Sequence, residues 1–283
     1  MIVSWNWLKE YVRLDMPQEE LEMRLMMAGL NHEGTERIGD DLAIDLEVTS
    51  NRPDCLGHIG VAREVAVLWD QELTIPAAAV AESKTPVADL ASVTIECPGL
   101  CNRYTARVVR GVKVAPSPDW LAERLRSLGI AVINNIVDIT NFVLLDLGQP
   151  LHSFDVERLR GGRIRVRMAE PGEKMHLLDG NEIELDPEDV LIADGEGPVA
   201  LAGVMGGGGS QIHDGTVSIF LESANFSATS VRRSSLRHGR TDSSARFEKS
   251  LDPHQARIGI LRAAALVLEL CPGAEIHRLE ISL

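Results

Sequence analysis

The sequence is short of four things, and each shortage excludes something. Cysteine occupies four of 283 positions, Cys55, Cys97, Cys101 and Cys271, too few for a disulfide scaffold of this length, so reduced thiols are expected. Cys97 and Cys101 form a C-x3-C pair, but no second pair or nearby histidine completes a zinc set, and no metal is expected. Aromatic residues make up 4% of the chain, which argues against a platform that stacks single-stranded bases. Positive charge is outweighed, 28 Lys+Arg against 42 Asp+Glu for a net charge of −14, and so acidic a chain is no generic nucleic-acid coat. Long apolar runs are missing too. The stretch 258–270 is broken by Arg262 and is too short to span a bilayer, and the opening MIVSWNWLKEYVRLD lacks the layout of a signal peptide. A cytoplasmic protein without membrane contact is the expectation.

What is present is ordinary globular material, 45% hydrophobic and 25% charged, enough for one large domain or two of moderate size. Residues 17–30 read as an amphipathic helix, with Pro17 in its first turn, Leu21 and Leu25 one turn apart, and Gly29 as its stop. A strand is expected over 43–48, then a turn around Asn51, Pro53 and Gly57 that feeds a helix over 60–69. The Ala-, Pro- and Ser-rich stretch 76–90 reads as a linker. It divides a small N-terminal α/β module, 1–75, from a larger unit, 91–283.

In the larger unit, strands are expected over 92–96 and 104–114. Ser117-Pro118-Asp119 reads as a helix start with Ser117 as its cap, and a second helix runs over 136–147 to Gly148. Four or five strands follow, centred near Val166, Ile183, Leu191, Ala200 and Phe220, and helices over 228–237 and 253–270 finish the chain. Helices that bracket a strand-rich middle without regular alternation point to an α+β fold.

Three segments can carry chemistry. In the first, a helix bears Thr140 and Asn141, and a Gly-Gln-Pro turn brings His152 back toward it. A hydroxyl, an amide and an imidazole can orient polar ligand atoms there, and the histidine can relay protons near neutrality; such residues also serve commonly as turn and core hydrogen-bonding groups. In the second, Ala202-Gly203 leads to four consecutive glycines, 206–209, without the Lys-Ser/Thr pair of a phosphate-cradling loop. Beyond it, Glu222 is a lone acid at the end of an apolar strand run, costly to bury unless paired or used in recognition. The third is basic: Arg232, Arg233, Arg237, His238, Arg240, Arg246 and Lys249, with Arg163, Arg165 and Arg167 alternating on one strand face. Arginines at a helix end suit phosphate contact, but equally suit ion pairs with the surplus acids. Serine-hydrolase and zinc-protease signatures do not occur.

Taken together, VSWNWLKEYV, EVTSNRPDCLGHIGVAREVA, VDITNFVLLDLGQPLHSFD, ALAGVMGG, FLESANF and RHGRTDSSARFEKSLDP closely resemble, in this order, the N-terminal half of the bacterial phenylalanyl-tRNA synthetase beta subunit. The resemblance implies that 91–283 is an editing domain, which hydrolyses the ester of tyrosine wrongly attached to phenylalanine tRNA. It implies that Glu222 recognises the tyrosine hydroxyl, that His152, Thr140 and Asn141 surround the amino acid and its ester, and that Gly203 lines the same pocket. Asn135, where many relatives carry arginine, and Ser243, where they often carry alanine, count with them as substrate-binding residues.

Arg232, Arg233, Arg237, Arg240 and Arg246 are expected, from charge, to contact the tRNA near its acceptor end. The oligonucleotide-binding barrel that relatives insert after the first helix is absent, since Glu36-Arg37 runs almost directly into Asp40-Asp41. The resemblance implies that relatives continue into domains that contact the alpha subunit and the anticodon, and that ATP and magnesium belong to the alpha subunit, a further expected partner; these 283 residues are therefore expected to need no cofactor. The alternative is a non-catalytic tRNA- or amino-acid-binding part of the beta chain that needs that subunit.

Overall fold

The computed structural model describes residues 1–78, 80–83 and 92–279. The N-terminal module holds β1 (Ile2–Ser4), α1 (Trp5–Leu8), α2 (Gln18–Met27), β2 (Leu30–Ile38), β3 (Asp41–Val48) and α3 (His58–Leu68). Its strands form one antiparallel sheet in the order β1-β3-β2. Pro17 is the N-cap of α2, and Leu21 and Leu25 are its buried residues, as the spacing predicts. Strand β2 has no such spacing; it buries Leu30, and its other residues, mostly polar, are exposed or half-buried. Gly39 and Asp40 turn β2 straight back into β3, with no barrel between them.

The larger unit begins with β4 (Glu82–Ser83), β5 (Ser92–Ile95), β6 (Cys101–Arg110), α4 (Asp119–Ser127), α5 (Asn135–Leu147), β7 (Leu151–Asp155) and β8 (Arg163–Met168). It continues through β9 (Lys174–His176), β10 (Glu182–Glu184), β11 (Val190–Ala193), β12 (Pro198–Leu201), β13 (Met205–Gly206) and β14 (Ser218–Phe226). Helices α6 (Ala228–His238), α7 (Asp242–Phe247) and α8 (Gln255–Leu270) and strand β15 (Glu275–Leu279) complete it. Two five-stranded sheets result, β4-β15-β6-β14-β7 and β13-β12-β11-β8-β5, beside the hairpin β9-β10. The fold is mixed α+β. Of the expected linker 76–90, position 79 and positions 84–90 lie outside the described residues, while β4 pairs in parallel with β15.

The helix start near 117 differs in one respect. Pro118, not Ser117, is the N-cap of α4, and the Ser117 hydroxyl instead donates to Asp138 at 2.6 Å. That bond ties the start of α4 to α5. Helix α5 is capped by the Asn134 side chain, which accepts from the amides of Ile136 and Val137, and ends at Gly148. Its apolar side meets the N-terminal module directly: the Trp7 ring stacks on His58 at 4.0 Å and on Phe142 at 4.6 Å. No helix among the described residues is long and apolar enough to cross a membrane.

Candidate functional site

The site grows from the middle of β14, which lies between β6 and β7. Antiparallel register sets Glu222 opposite both Ala106 on β6 and His152 on β7, and Ala224 opposite Tyr104. Directly opposed residues share a face of the sheet, so Glu222, His152 and Tyr104 emerge together. Sequence spacing alone does not reveal this, because 70 residues of loops and strands separate His152 from Glu222.

Glu222 is 7% exposed, and the Tyr104 phenol donates a hydrogen bond to its Oε2. Its other oxygen has no hydrogen-bond partner among the described residues. Burial disfavours the carboxylate and pushes its pKa up to about 7, with the Tyr104 bond acting in the opposite sense. Burial also pushes His152 down to about 4, so its imidazole is neutral at pH 7. The His152 Nε2 is shielded from solvent and unpartnered among the described residues. A buried polar atom without a partner is unfavourable unless a ligand or water meets it. The ring packs edge-on against Phe154 at 4.4 Å and lies over Gly206, where a Cβ would stand 2.4 Å from Cε1. Only glycine leaves room for the ring in that position.

Glu222, His152, Gly203, Gly206 and Ser243 line one pocket, closed by Phe226 and Phe247. It adjoins a cavity of about 520 Å³ lined by Thr140, Asn141, His152, Ser243, Ile133 and Leu178. Six of the seven non-arginine residues named from sequence or resemblance therefore converge on two joined hollows, with His152 and Ser243 on both; Gly203 takes φ of 71° where β12 turns toward β13. The Thr140 hydroxyl is spoken for, donating to the Val137 carbonyl at 2.6 Å.

Two expectations are corrected. Asn135 does not belong to the pocket: it is 3% exposed, accepts from the Ala115 amide and donates to the Lys113 carbonyl, both at 3.0 Å. It fastens the 113–115 segment to the first turn of α5. Arg246 does not lie on the surface: it is 5% exposed, with Nε donating to the Leu56 carbonyl at 3.3 Å and a terminal nitrogen donating to the Asp242 carbonyl at 2.9 Å. A side chain held there cannot meet a phosphate.

The rest of the arginine cluster divides. Arg237 is bound to Glu188 at 2.6 Å and Asp189 at 3.2 Å, and Arg233 lies 3.7 Å from Glu188. Arg165 and Arg167 pair with Glu96 and Glu173, each at 2.6 Å. The surplus acids thus neutralise much of the basic patch. Arg232 and Arg240 are exposed, without an ion pair among the described residues. Asp54, Cys55 and Glu64 bring potential metal-ligand atoms within 4.8 Å of one another, but Arg52 stands among them, 2.9 Å from Asp54 and 2.7 Å from Glu64. The guanidinium already satisfies those carboxylates. Tyr104 carries no sequence signature as a site residue, because a buried tyrosine on a strand has no motif of its own.

The B3/4 domain family matches residues 100–272, the stretch that contains every pocket residue. The chain is 47% identical over 275 residues to a phenylalanine–tRNA ligase beta subunit of Rhodopirellula baltica, covering 97% of this chain and 40% of that one. It is 50% identical to the beta subunit of Anaeromyxobacter dehalogenans over 235 residues, 83% of this chain and 29% of that one. The chain therefore spans well under half the length of these relatives. A solved N-terminal fragment of the phenylalanyl-tRNA synthetase beta subunit from Pyrococcus horikoshii aligns with TM-score 0.47 at 17% identity, covering 98% of this chain and 75% of that one.

Proposed function

Because the chain belongs to the B3/4 domain family and is similar over nearly its whole length to a bacterial phenylalanine–tRNA ligase beta subunit, we propose that it hydrolyses tyrosine wrongly esterified to phenylalanine tRNA. The observation that carries this reading is a buried carboxylate, Glu222, with one oxygen unpartnered among the described residues, in a pocket lined by Phe226, Phe247 and aliphatic side chains. A tyrosine side chain fills the apolar part and donates its hydroxyl to Glu222. Phenylalanine fills the same space and leaves a desolvated carboxyl without a partner, a large penalty for so small a chemical difference.

The neutral His152, with Nε2 free at the border of the two cavities, is suited to hold a water and accept its proton as the water attacks the ester carbonyl. The carbonyl oxygen gains charge in that step, and we assign its stabilisation to backbone amides of the 203–206 segment, which lines the pocket. The bond to the ribose oxygen then breaks and the proton returns to that oxygen. No acyl-enzyme is needed. Thr140, Asn141 and the larger cavity are left for the ester and the terminal nucleoside.

In this reading the chain needs no cofactor of its own, works in the cytoplasm, and meets an alpha subunit that supplies the ATP- and magnesium-dependent step. Deacylation of Tyr-tRNA by the purified chain tests the activity. For the RNA surface, replacing Arg232 and Arg240 together with alanine is expected to weaken tRNA binding and lower the slope of log affinity against log salt by about 1 to 2. Arg246→Met is expected to leave that slope unchanged while lowering the melting temperature. Salt titrations of tRNA binding separate the two.

A further inference from the structure

Tyr104 has no part in the reading above except as a neighbour, yet its position is unusual. It is 1% exposed and spends its phenol on the same carboxylate that faces the pocket. We propose that Tyr104 is a specificity-determining positioning residue: by donating to Oε2 of Glu222, it commits the remaining oxygen to accepting a phenol from the ligand. The inference rests on the tyrosine-selecting role proposed for Glu222 and deepens it.

A protonated carboxyl in an apolar pocket both donates and accepts, so it discriminates poorly between ligands. A carboxylate accepts only, and its bond to a phenol is charge-assisted and stronger. What keeps Glu222 ionised therefore sets the selectivity. The titratable groups facing it are few. From β6 come Tyr104 and Cys101, whose thiol is pushed up by burial and by the nearby carboxylate. From β7 comes His152, which burial keeps uncharged near neutrality. The residues of the 203–206 turn and α7 that line the pocket, Gly203, Val204, Met205, Gly206, Ser243 and Phe247, add no charge. No cation counters the acid among these groups, and the Tyr104 hydrogen bond is what favours its charged form. The bond also fixes the carboxylate plane, since Tyr104 and Glu222 stand diagonally across adjacent strands.

The test compares the chain with Tyr104→Phe, which keeps the ring and removes only the hydroxyl. Calorimetric titration with free L-tyrosine and L-phenylalanine from pH 5.5 to 8.5 gives the ratio of their affinities at each pH. In the unaltered chain the ratio rises as Glu222 ionises. In Tyr104→Phe it is expected to fall about fivefold at pH 7 and to recover at higher pH, the midpoint moving up by about one unit. A merely structural tyrosine would weaken both ligands alike and leave the midpoint in place, and that result overturns the inference. Thermal melting confirms that the variant is folded, and Tyr104→Trp, which is not isosteric, is avoided. Glu222→Gln separates the two levels: if it leaves the tyrosine preference intact, the role of Glu222 fails and this inference with it. If Glu222→Gln abolishes the preference while Tyr104→Phe changes neither ratio nor midpoint, the inference alone fails.

Discussion

Glu222→Ala is expected to erase the preference for tyrosine over phenylalanine. Sites that hydrogen-bond a substrate hydroxyl reject the analogue lacking it by up to ~10⁴–10⁵, so loss of the acceptor should reduce selectivity by about a hundredfold or more. The loss is asymmetric. Phenylalanine no longer leaves a buried carboxyl unpaired, so its ester is handled better, while tyrosine buries a hydroxyl with no acceptor and is handled worse. Rates for the two esters measured side by side check this; equal loss on both would show that Glu222 matters only to the shape of the pocket. Stability should move with pH in a related way. The folded pKa of Glu222, about 7, lies above its ordinary 4.5, so the folded chain holds this proton more tightly than the unfolded one. Its contribution is therefore most favourable below pH 4.5 and is lost as pH rises through 7. His152 acts in the opposite direction: its folded value of about 4 lies below the ordinary 6.5, so stability is lost as pH falls through that window. Comparing Glu222→Gln with the unaltered chain at each pH isolates the first effect, and the stability advantage of the glutamine variant should grow between pH 4.5 and 7.

The second large effect is on stability. Trp7→Ala should cost about 3–5 kcal/mol in urea unfolding, the range for truncating a buried Trp or Phe. Trp7 is 1% exposed and lies between His58 and Phe142, while its Nε1 donates to the Tyr11 hydroxyl at 2.8 Å. Tyr11 in turn donates to the buried Asp146, which Arg262 meets at 3.3 Å. Removing the indole therefore opens a cavity and frees one end of a chain of buried polar groups that reaches α8. Trp7→Phe keeps much of the stacking and loses one hydrogen bond, so it should cost less. Because Trp7 belongs to the N-terminal module and Phe142 to the helix that carries Thr140 and Asn141, the alanine variant should also lose deacylation in proportion to its unfolded fraction. Cooperative loss of both would tie the module to the site; a separate early transition with activity retained would count against that coupling.

Much of this was legible in the sequence, and the remainder has physical reasons. Helix α5 could be read from its period and from Gly148, and α2 from Pro17 and the Leu21–Leu25 spacing. Strand β2 could not, since Leu30 is its one buried residue and the alternation that marks a half-exposed strand is missing. Helix α7 is six residues long, and its capping by Thr241 and Ser244 is too short a pattern to stand out between arginines. At the site, Glu222 was conspicuous as an acid in an apolar run, but its partner was not. Tyr104 meets it through strand register 118 residues away in sequence, which no local pattern encodes. Asn135 and Arg246 show the converse: each is polar in a suggestive place, and each is consumed by backbone carbonyls inside the fold.

The central claim is that this pocket removes tyrosine from phenylalanine tRNA, and the direct measurement is the lifetime of Tyr-tRNA(Phe) with the purified chain beside Phe-tRNA(Phe) under the same conditions. The account predicts that Tyr-tRNA(Phe) disappears much faster than in buffer, that Phe-tRNA(Phe) is largely spared, and that Glu222→Ala removes the difference. Survival of Tyr-tRNA(Phe) for as long as in buffer, with the chain folded and the tRNA bound, would contradict it.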